Sequence, residues 1–456
     1  CGKDTHLYTV RTRRCSGLPV GFQYIPQREN MSKIPQNLEV IVVGAGTAGL
    51  SAATALLAAG IETVVLEAAA HTGGRCVTDT TTFSAPFDRG GSWLHSVSLN
   101  PLARLAEQRG AVLHKAPWLW SHVHTEGYDL TSDEVLAYRG YQEAMWLAIN
   151  NRGAETPDTT TAAAMPDGPF KTSATCSIPQ MMAGDADLVS AADVYNYADA
   201  KGDWLVGGGL GAFIQDLHPG IPTQLNCPVS KIDYNGTGVE VTTPQGVLKA
   251  KHLILTVSTG VLASGAIEFV PALPIQKQDA VDMLLNVLYN KVGIEFDPAW
   301  CDATQGQIAD YHTGDDAFCS LLFGFFETSI ATGFLAGRFG EALEKEGVGA
   351  ATDYCLQGLR TVFGNDVTKY VLRTDETNWS TNALTLGSYS YSKPGGAGAR
   401  KVLAETVDER IFFAGAATMT ESYATVHGAF LSGQQAAERV IATRVGASAT
   451  LTRLKI

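Results

Sequence analysis

The chain has 456 residues, 45% hydrophobic and 17% charged, with 47 glycines, which is too long for one ordinary core and points to two domains. Its 46 acidic and 33 basic residues give a formal net charge of -13, which argues against nucleic acid or an anionic membrane surface as partner and weakly favours small cationic ligands, most of that charge serving solubility. Eight cysteines without a C-x-x-C pair or short spacings imply free thiols in a reducing, cytoplasmic compartment, and the dispersed histidines, only His122 and His124 lying close together, imply no metal site.

Residues 1–36 carry Arg11, Arg13 and Arg14 and lack the apolar core of a secretion signal, so they are expected to be a disordered or artefactual extension, with Met31 a candidate natural start. Leu38 to Val43 reads as a buried parallel strand, Leu50 to Ala59 as a helix and Thr63 to Leu66 as the returning strand. Asn100 to Gln108, Asp133 to Ile149 and Ser190 to Tyr197 have helical character, while Gly153 to Gly168 has the Pro- and Thr-rich composition of a surface loop. Gln224 to Val229, Gly238 to Thr243, Leu253 to Val257 and Lys291 to Phe296 read as strands. The apolar stretch Leu321 to Ala336 is interrupted by Glu327 and several glycines and threonines, so no membrane span is expected. Ile411 to Ala414 is a short buried strand, followed by a helix from about Gly428 to Ile441.

The turn Gly44-Ala45-Gly46-Thr47-Ala48-Gly49 joins the first strand to the first helix, and Glu67 ends the second strand. In a dinucleotide-binding βαβ unit, Gly44 permits the tight turn, Gly46 lets backbone approach a diphosphate at the helix N-terminus, and Gly49 allows close packing. Glu67 then accepts hydrogen bonds from an adenosine ribose, which suits NAD or FAD and disfavours NADP.

Three further blocks carry a resemblance: Gly73-Gly74-Arg75, the run from Phe87 to His95, and Phe412 to Thr418 followed by Tyr423 to Ala429. From about residue 38 to residue 442 the sequence resembles the flavin-dependent amine oxidases, the group of monoamine oxidases, polyamine oxidases and lysine-specific histone demethylases. The resemblance implies FAD as cofactor. Gly74 and Arg75 would approach its phosphates and ring, Gly91, Ser92 and Trp93 would pass the isoalloxazine, and Gly415 and Ala416 would face the ribityl and phosphate region. Val229 would hold the adenine through its backbone, Trp379 would pack near the flavin, and the Val426 amide would meet the pyrimidine, where it stabilises negative charge on the reduced ring. Ser388 stands where some monoamine oxidases carry the flavin-linked cysteine, so the FAD is expected to be noncovalent.

By the same resemblance Tyr389 is one wall of the substrate cage, and the opposite position is Thr425 rather than a tyrosine, a pattern similar to spermine oxidases and histone demethylases. Lys291 matches the lysine that holds a water against the flavin, and His95 aligns with a histidine that accepts a hydrogen bond from a substrate nitrogen. Ala416 replaces the family's usual glutamate, a loss of about 1–3 kcal/mol of cofactor binding if a buried partner is left unpaired.

The expected fold is α/β, a Rossmann-like FAD-binding domain from residues 37–95, 206–262 and 385–446 interleaved with an α+β substrate-binding domain from 96–205 and 263–384, with 447–456 a tail. The expected reaction oxidises a C–N bond of a small amine, a polyamine or a related secondary or primary amine, by hydride transfer to flavin N5, with O2 reduced to H2O2. A primary monoamine or amino acid stands behind a polyamine, and histone demethylation is remote because the chain lacks the long helical insertion of the nuclear enzymes. Two alternatives stay open: a flavin-dependent desaturase or isomerase of an apolar substrate, and a noncatalytic FAD-stabilised interaction protein, which Ala416 would suit. No G-x-S-x-G elbow supports a serine hydrolase.

Overall fold

The computed structural model describes residues 37–445 except 116–118, 302–305, 315 and 325–327; the expected N-terminal extension and C-terminal tail lie outside the described residues. Strand β1 (Asn37–Val43), helix α1 (Thr47–Ala58) and strand β2 (Thr63–Leu66) form a parallel βαβ unit. Val40, Ile41 and Val42 are completely buried, as a continuous apolar run demands of a strand covered on both faces.

Around β1 and β2 an eight-stranded sheet assembles from distant parts of the chain. Gly246–Leu255 pairs with β1 in parallel, and Ile411–Phe413 pairs in parallel with its far end. Thr223–Gln224 adds to β2, while Val239–Thr243, Lys231–Asp233 and Glu268–Val270 extend the other side. A seven-stranded sheet is the second large layer, with Tyr289–Phe296 between Val371–Glu376 and Ile330–Ala336. Its buried face, including Val292, Ile294 and Phe296, packs with Leu343, Cys355 and Leu359 of the helices Gly337–Glu346 and Ala350–Phe363. The helices Ser132–Gly153, Lys171–Met182 and Ala191–Asn196 share a third apolar cluster that also contains Tyr391.

Several expectations change. The strand foreseen over Gln224 to Val229 ends at Gln224, because Asn226 and Cys227 turn their N–H groups to the carbonyls of Ala69 and Glu67 instead of continuing the ladder. The supposed surface loop from Gly153 to Gly168 contains a short helix, Thr161–Ala164, with Thr161 fully buried and donating to the Ala186 carbonyl; its composition signalled turns but not this tertiary contact. The C-terminal helix runs over Val426–Val445, starting two residues before the apolar pattern because Thr425 caps it.

That helix meets α1 backbone to backbone. A Cβ at Gly433 would lie 2.1 Å from the Ala48 carbonyl oxygen, and one at Gly49 would lie 1.9 Å from that of Gly44. Gly433→Ala is therefore expected to destabilise the fold by about 1–3 kcal/mol through overpacking. Gly140→Ala, on the exposed face of a helix with open space around it, is expected to stabilise by about 0.5–1 kcal/mol. Urea unfolding of the two variants checks the opposite signs.

Candidate active site

The glycine turn and the Gly73-Gly74-Arg75 block cross each other at the N-terminus of α1. Gly73 N–H donates to the Ala45 carbonyl, and a Cβ at Gly74 would lie 3.3 Å from the Gly46 Cα. At Gly46, by contrast, a Cβ would find nothing nearer than 3.9 Å, and no side chain caps the helix there. The result is a bare helix N-terminus bordered by open space, the arrangement that receives a diphosphate. Glu67 is buried, and its two carboxylate oxygens accept the N–H groups of Ala45 at 2.6 Å and Ala69 at 2.8 Å, which orients it at the edge of the turn. Cys227 N–H donates to the Glu67 carbonyl, which brings Val229 close by; among the described residues, no partner meets the backbone N–H or C=O of this buried valine.

Arg75 and Gly415, Ala416 and Tyr389 line one cleft. Among the described residues Arg75 has no carboxylate in ion-pair reach; it donates to the Ser388 carbonyl at 2.5 Å and to Asn286 Oδ1 at 3.4 Å, and burial lowers its pKa to about 10. A partly buried guanidinium with no carboxylate partner among the described residues, an uncapped helix and a buried acid fixed at the edge of the turn together fit a flavin dinucleotide. Ser388 is no free nucleophile: its hydroxyl accepts from Tyr289 N–H and donates to the Tyr289 carbonyl, each at 2.8 Å.

Gly91 joins the N-terminal blocks to the C-terminal helix. Its N–H donates to the Arg75 carbonyl, and a Cβ there would lie 2.5 Å from Val426 Cγ2. Beside it, Ser92 accepts a hydrogen bond from Lys291 Nζ, which also donates to the Asp88 carbonyl at 2.9 Å. Lys291 is only 5% exposed, and burial lowers its pKa to about 8 against the opposing pull of Asp88 and Cys76. The Asp88 carboxylate takes the N–H groups of Leu210 and Gly211 at the start of the helix Leu210–Leu217, and the Thr78 hydroxyl. Burial raises the Asp88 pKa, with the Lys291 charge and these hydrogen bonds opposing it.

Lys291 and Tyr389 line separate cavities, the former with Asp88, Ser92 and Thr332. Aromatic rings bridge them. Tyr289, two residues before Lys291 on the same strand, lies 5.6 Å from the Tyr389 ring and 5.7 Å from that of Phe334, which in turn is 5.9 Å from Lys291 Nζ. Burial holds the Tyr389 phenol well above its ordinary pKa, so it is protonated throughout the working range.

Thr425 does not offer a free hydroxyl to the cage: it accepts from Gly428 N–H at 2.9 Å and donates to the Ser422 carbonyl at 2.7 Å, as the N-cap of the C-terminal helix. His95 stacks with Trp93 and pairs through Nδ1 with Asp203 at 2.8 Å, both partners being substantially exposed. Its neighbour His427 is buried, with a pKa lowered to about 4 by burial and then by His95. Trp379 donates through Nε1 to the Arg89 carbonyl at 3.3 Å and packs near Gly90.

Four residues that sequence reading passed over belong to this neighbourhood: Asp88, Asn286, Tyr289 and Arg400. Asp88 lay inside the run from Phe87 to His95, and Tyr289 lies two residues before the strand foreseen from Lys291. Asn286 and the fully buried Arg400 carried no local signal, since their contacts are to carbonyls and side chains far away in sequence.

The Lys291 shift gives a pH dependence. Folded Lys291 binds its proton less tightly, with a pKa of about 8, than the unfolded chain at about 10.4. Between those values the unfolded chain binds more protons, so this group makes stability rise with pH, by up to about 1.4 kcal/mol per pH unit. Below that window its penalty is constant. Urea unfolding of wild type and Lys291→Met from pH 6 to 10 is expected to show the wild-type minus variant difference flat at low pH and rising above about pH 8; parallel curves would contradict it.

The sequence matches the family described as flavin containing amine oxidoreductase over residues 47–154 and 182–441. It is 30% identical over 455 residues to Lysine-specific histone demethylase 1 homolog 2 of Arabidopsis thaliana, covering 93% of this chain and 60% of that protein. It is 29% identical over 460 residues to Polyamine oxidase 4 of Oryza sativa subsp. japonica, covering 93% and 92%. The chain thus spans little more than half the length of its demethylase relatives. Cyclohexylamine Oxidase from Brevibacterium oxydans IH-35A shares the fold with a TM-score of 0.73 at 22% identity, over 88% of this chain and 98% of that one. Putrescine Oxidase bound to putrescine does so with a TM-score of 0.72 at 19% identity, over 89% and 99%. The family match across most of the chain and the open, uncapped N-terminus of α1 lead to one conclusion: this chain belongs to the flavin-containing amine oxidoreductases.

Proposed function

We propose that the chain oxidises a carbon–nitrogen bond of a small amine, a polyamine or a related secondary or primary amine, to an imine that hydrolyses to aldehyde and amine, with O2 as acceptor and H2O2 as product. The observation that carries this reading is that Tyr389 lines the same cleft as Arg75 and the Gly415 turn. FAD, when bound, supplies the acceptor for the hydride lost from the amine's α-carbon. The residues orient, desolvate and hold charge. The paired Tyr389 and Tyr289 rings offer an aromatic wall to a neutral amine and tolerate a cationic remainder of the substrate. The Thr425-capped helix aims its first amides, Val426 among them, where negative charge develops. Lys291 is a buried proton carrier next to Ser92, suited to holding a water. His95, held by Asp203, is the proposed acceptor for a substrate nitrogen.

The domain assignment belongs to this proposal: residues 37–95, 206–262 and 385–446 bind FAD, and 96–205 with 263–384 form the substrate side. Most strands of the eight-stranded sheet come from the first set, with Glu268–Val270 contributed across the boundary. Neither nucleic acid nor a membrane is a proposed partner; no described helix is long and apolar enough to cross a membrane. The demethylase relatives favour a second reading, an N-methylated lysine in a peptide as the amine.

Anaerobic mixing of the FAD-loaded protein with spermine, putrescine, phenethylamine and a dimethyl-lysine peptide separates these readings. Bleaching of the flavin absorbance by a small amine is expected, followed by H2O2 release on admitting air. Bleaching by the peptide alone would move the assignment to the second reading, and no bleaching by any amine would overturn both. The single-turnover rate is expected to rise with pH through the bound amine's pKa, since only the neutral amine donates hydride. Tyr389→Ala is expected to lower kcat/KM about tenfold while Tyr389→Phe stays near wild type, because the ring face rather than the hydroxyl makes the contact.

A further inference from the structure

Arg400 and Asp193 form an ion pair with both side chains at most 1% exposed. Arg400 Nε and Nη2 reach the two carboxylate oxygens at 2.8 and 2.7 Å. The remaining donors are taken up by the chain itself. Nη1 donates to Ser390 Oγ at 3.1 Å and to the Ala417 carbonyl at 3.4 Å, and Nη2 donates to the Ser390 carbonyl at 3.1 Å. From the other side, Asp193 Oδ2 accepts Ser392 N–H at 3.1 Å, and its carbonyl accepts the Tyr423 hydroxyl at 3.2 Å. The guanidinium also lies 3.8 Å over the Tyr423 ring.

These contacts gather pieces that the proposed reaction uses. Ser390 follows Tyr389, and Ala417 follows Ala416, both on the cleft wall. Tyr423 lies two residues before the Thr425 cap, and Asp193 belongs to the helix Ala191–Asn196 of the helical layer. Stability alone is a poor explanation for such a pair, because two apolar residues of similar volume commonly serve a buried site as well or better. What a bidentate guanidinium–carboxylate pair adds is direction: a planar fork fixes the carbonyls and hydroxyl it touches, where apolar packing leaves them free to shift.

We propose that Arg400 and Asp193 are positioning residues that lock the Tyr389 strand, the Ala416–Thr418 turn and the approach to the Val426 helix into one register, so that the aromatic wall and the cofactor-facing turn keep a fixed separation. This rests on the reading that those two features face the amine and FAD. It assigns the pair no contact with either.

The test uses FAD-loaded Arg400→Lys and the double variant Asp193→Leu/Arg400→Met, each compared with wild type. The readouts are melting temperature, fine structure of the flavin absorbance, FAD dissociation followed by flavin fluorescence, and anaerobic reduction by the amine that reduces wild type. The double variant is expected to melt near wild type, yet to show blurred flavin fine structure, FAD binding weaker by about tenfold, and a limiting reduction rate lower on the order of 100-fold. Arg400→Lys keeps the charge without the fork and is expected to shift spectrum and FAD affinity in the same direction at an unchanged melting temperature. A folded double variant with wild-type spectrum, affinity and limiting rate would overturn the proposal. If the double variant does not fold, Arg400→Lys decides: wild-type spectrum and affinity overturn it, and altered values at constant melting temperature support it. If no amine reduces the wild type, the proposed activity fails, while the spectrum and FAD affinity still judge the pair.

Discussion

Close backbone approach at the N-terminus of α1 is the constraint on which the rest of the molecule depends. Gly49 lets α1 lie against the Gly44 carbonyl, Gly433 lets the C-terminal helix lie against Ala48, and Gly74 lets the Arg75 block cross Gly46. A side chain at any of these three positions would force backbone apart, because the atoms it would meet are main-chain atoms with nowhere to turn. Only Gly46 keeps open space, and that is where the helix dipole and uncapped N–H groups are presented. One tight junction thus brings Gly46, Arg75 and Gly433 into register.

Around this junction the buried charges are arranged by two different rules. Arg75 has carbonyl partners and no carboxylate among the described residues. Lys291 and Arg400 are supplied from within the chain, the first by Ser92 and the Asp88 carbonyl with a helix-capping carboxylate close by, the second by Asp193 directly. The surface pairs are of another kind: Lys249 with Glu240 and Arg338 with Asp187 are half exposed and worth a few tenths to about 1 kcal/mol each.

Much of this was legible in the chain. The βαβ unit, its glycines and Glu67 could be read because each depends on neighbours within about 30 residues, where strand length, turn chemistry and helix start are local matters. The C-terminal helix start was nearly right for the same reason, Thr425 being a cap that speaks to a residue three positions on. The errors were all non-local. Gln224 to Val229 has the composition of a strand, but its later residues turn to Glu67 and Ala69; Thr161 sits among turn-forming residues, but tertiary contact buries it. At Thr425, read as the position opposite the Tyr389 wall, tertiary structure adds the direction of the hydroxyl, which caps the C-terminal helix.

By itself the sequence determined the flavin family and the parallel first unit, since those follow from backbone permissiveness and side-chain chemistry at short range. Tertiary structure alone decided that Tyr289 stands beside Tyr389, that Asp88 caps a helix next to Lys291, and that Arg400 reaches across to Asp193. The physical reason is that burial and direction are properties of the packed neighbourhood: a lysine or arginine codes for a charge, but only the surrounding chain determines whether water, a carboxylate or a carbonyl answers it.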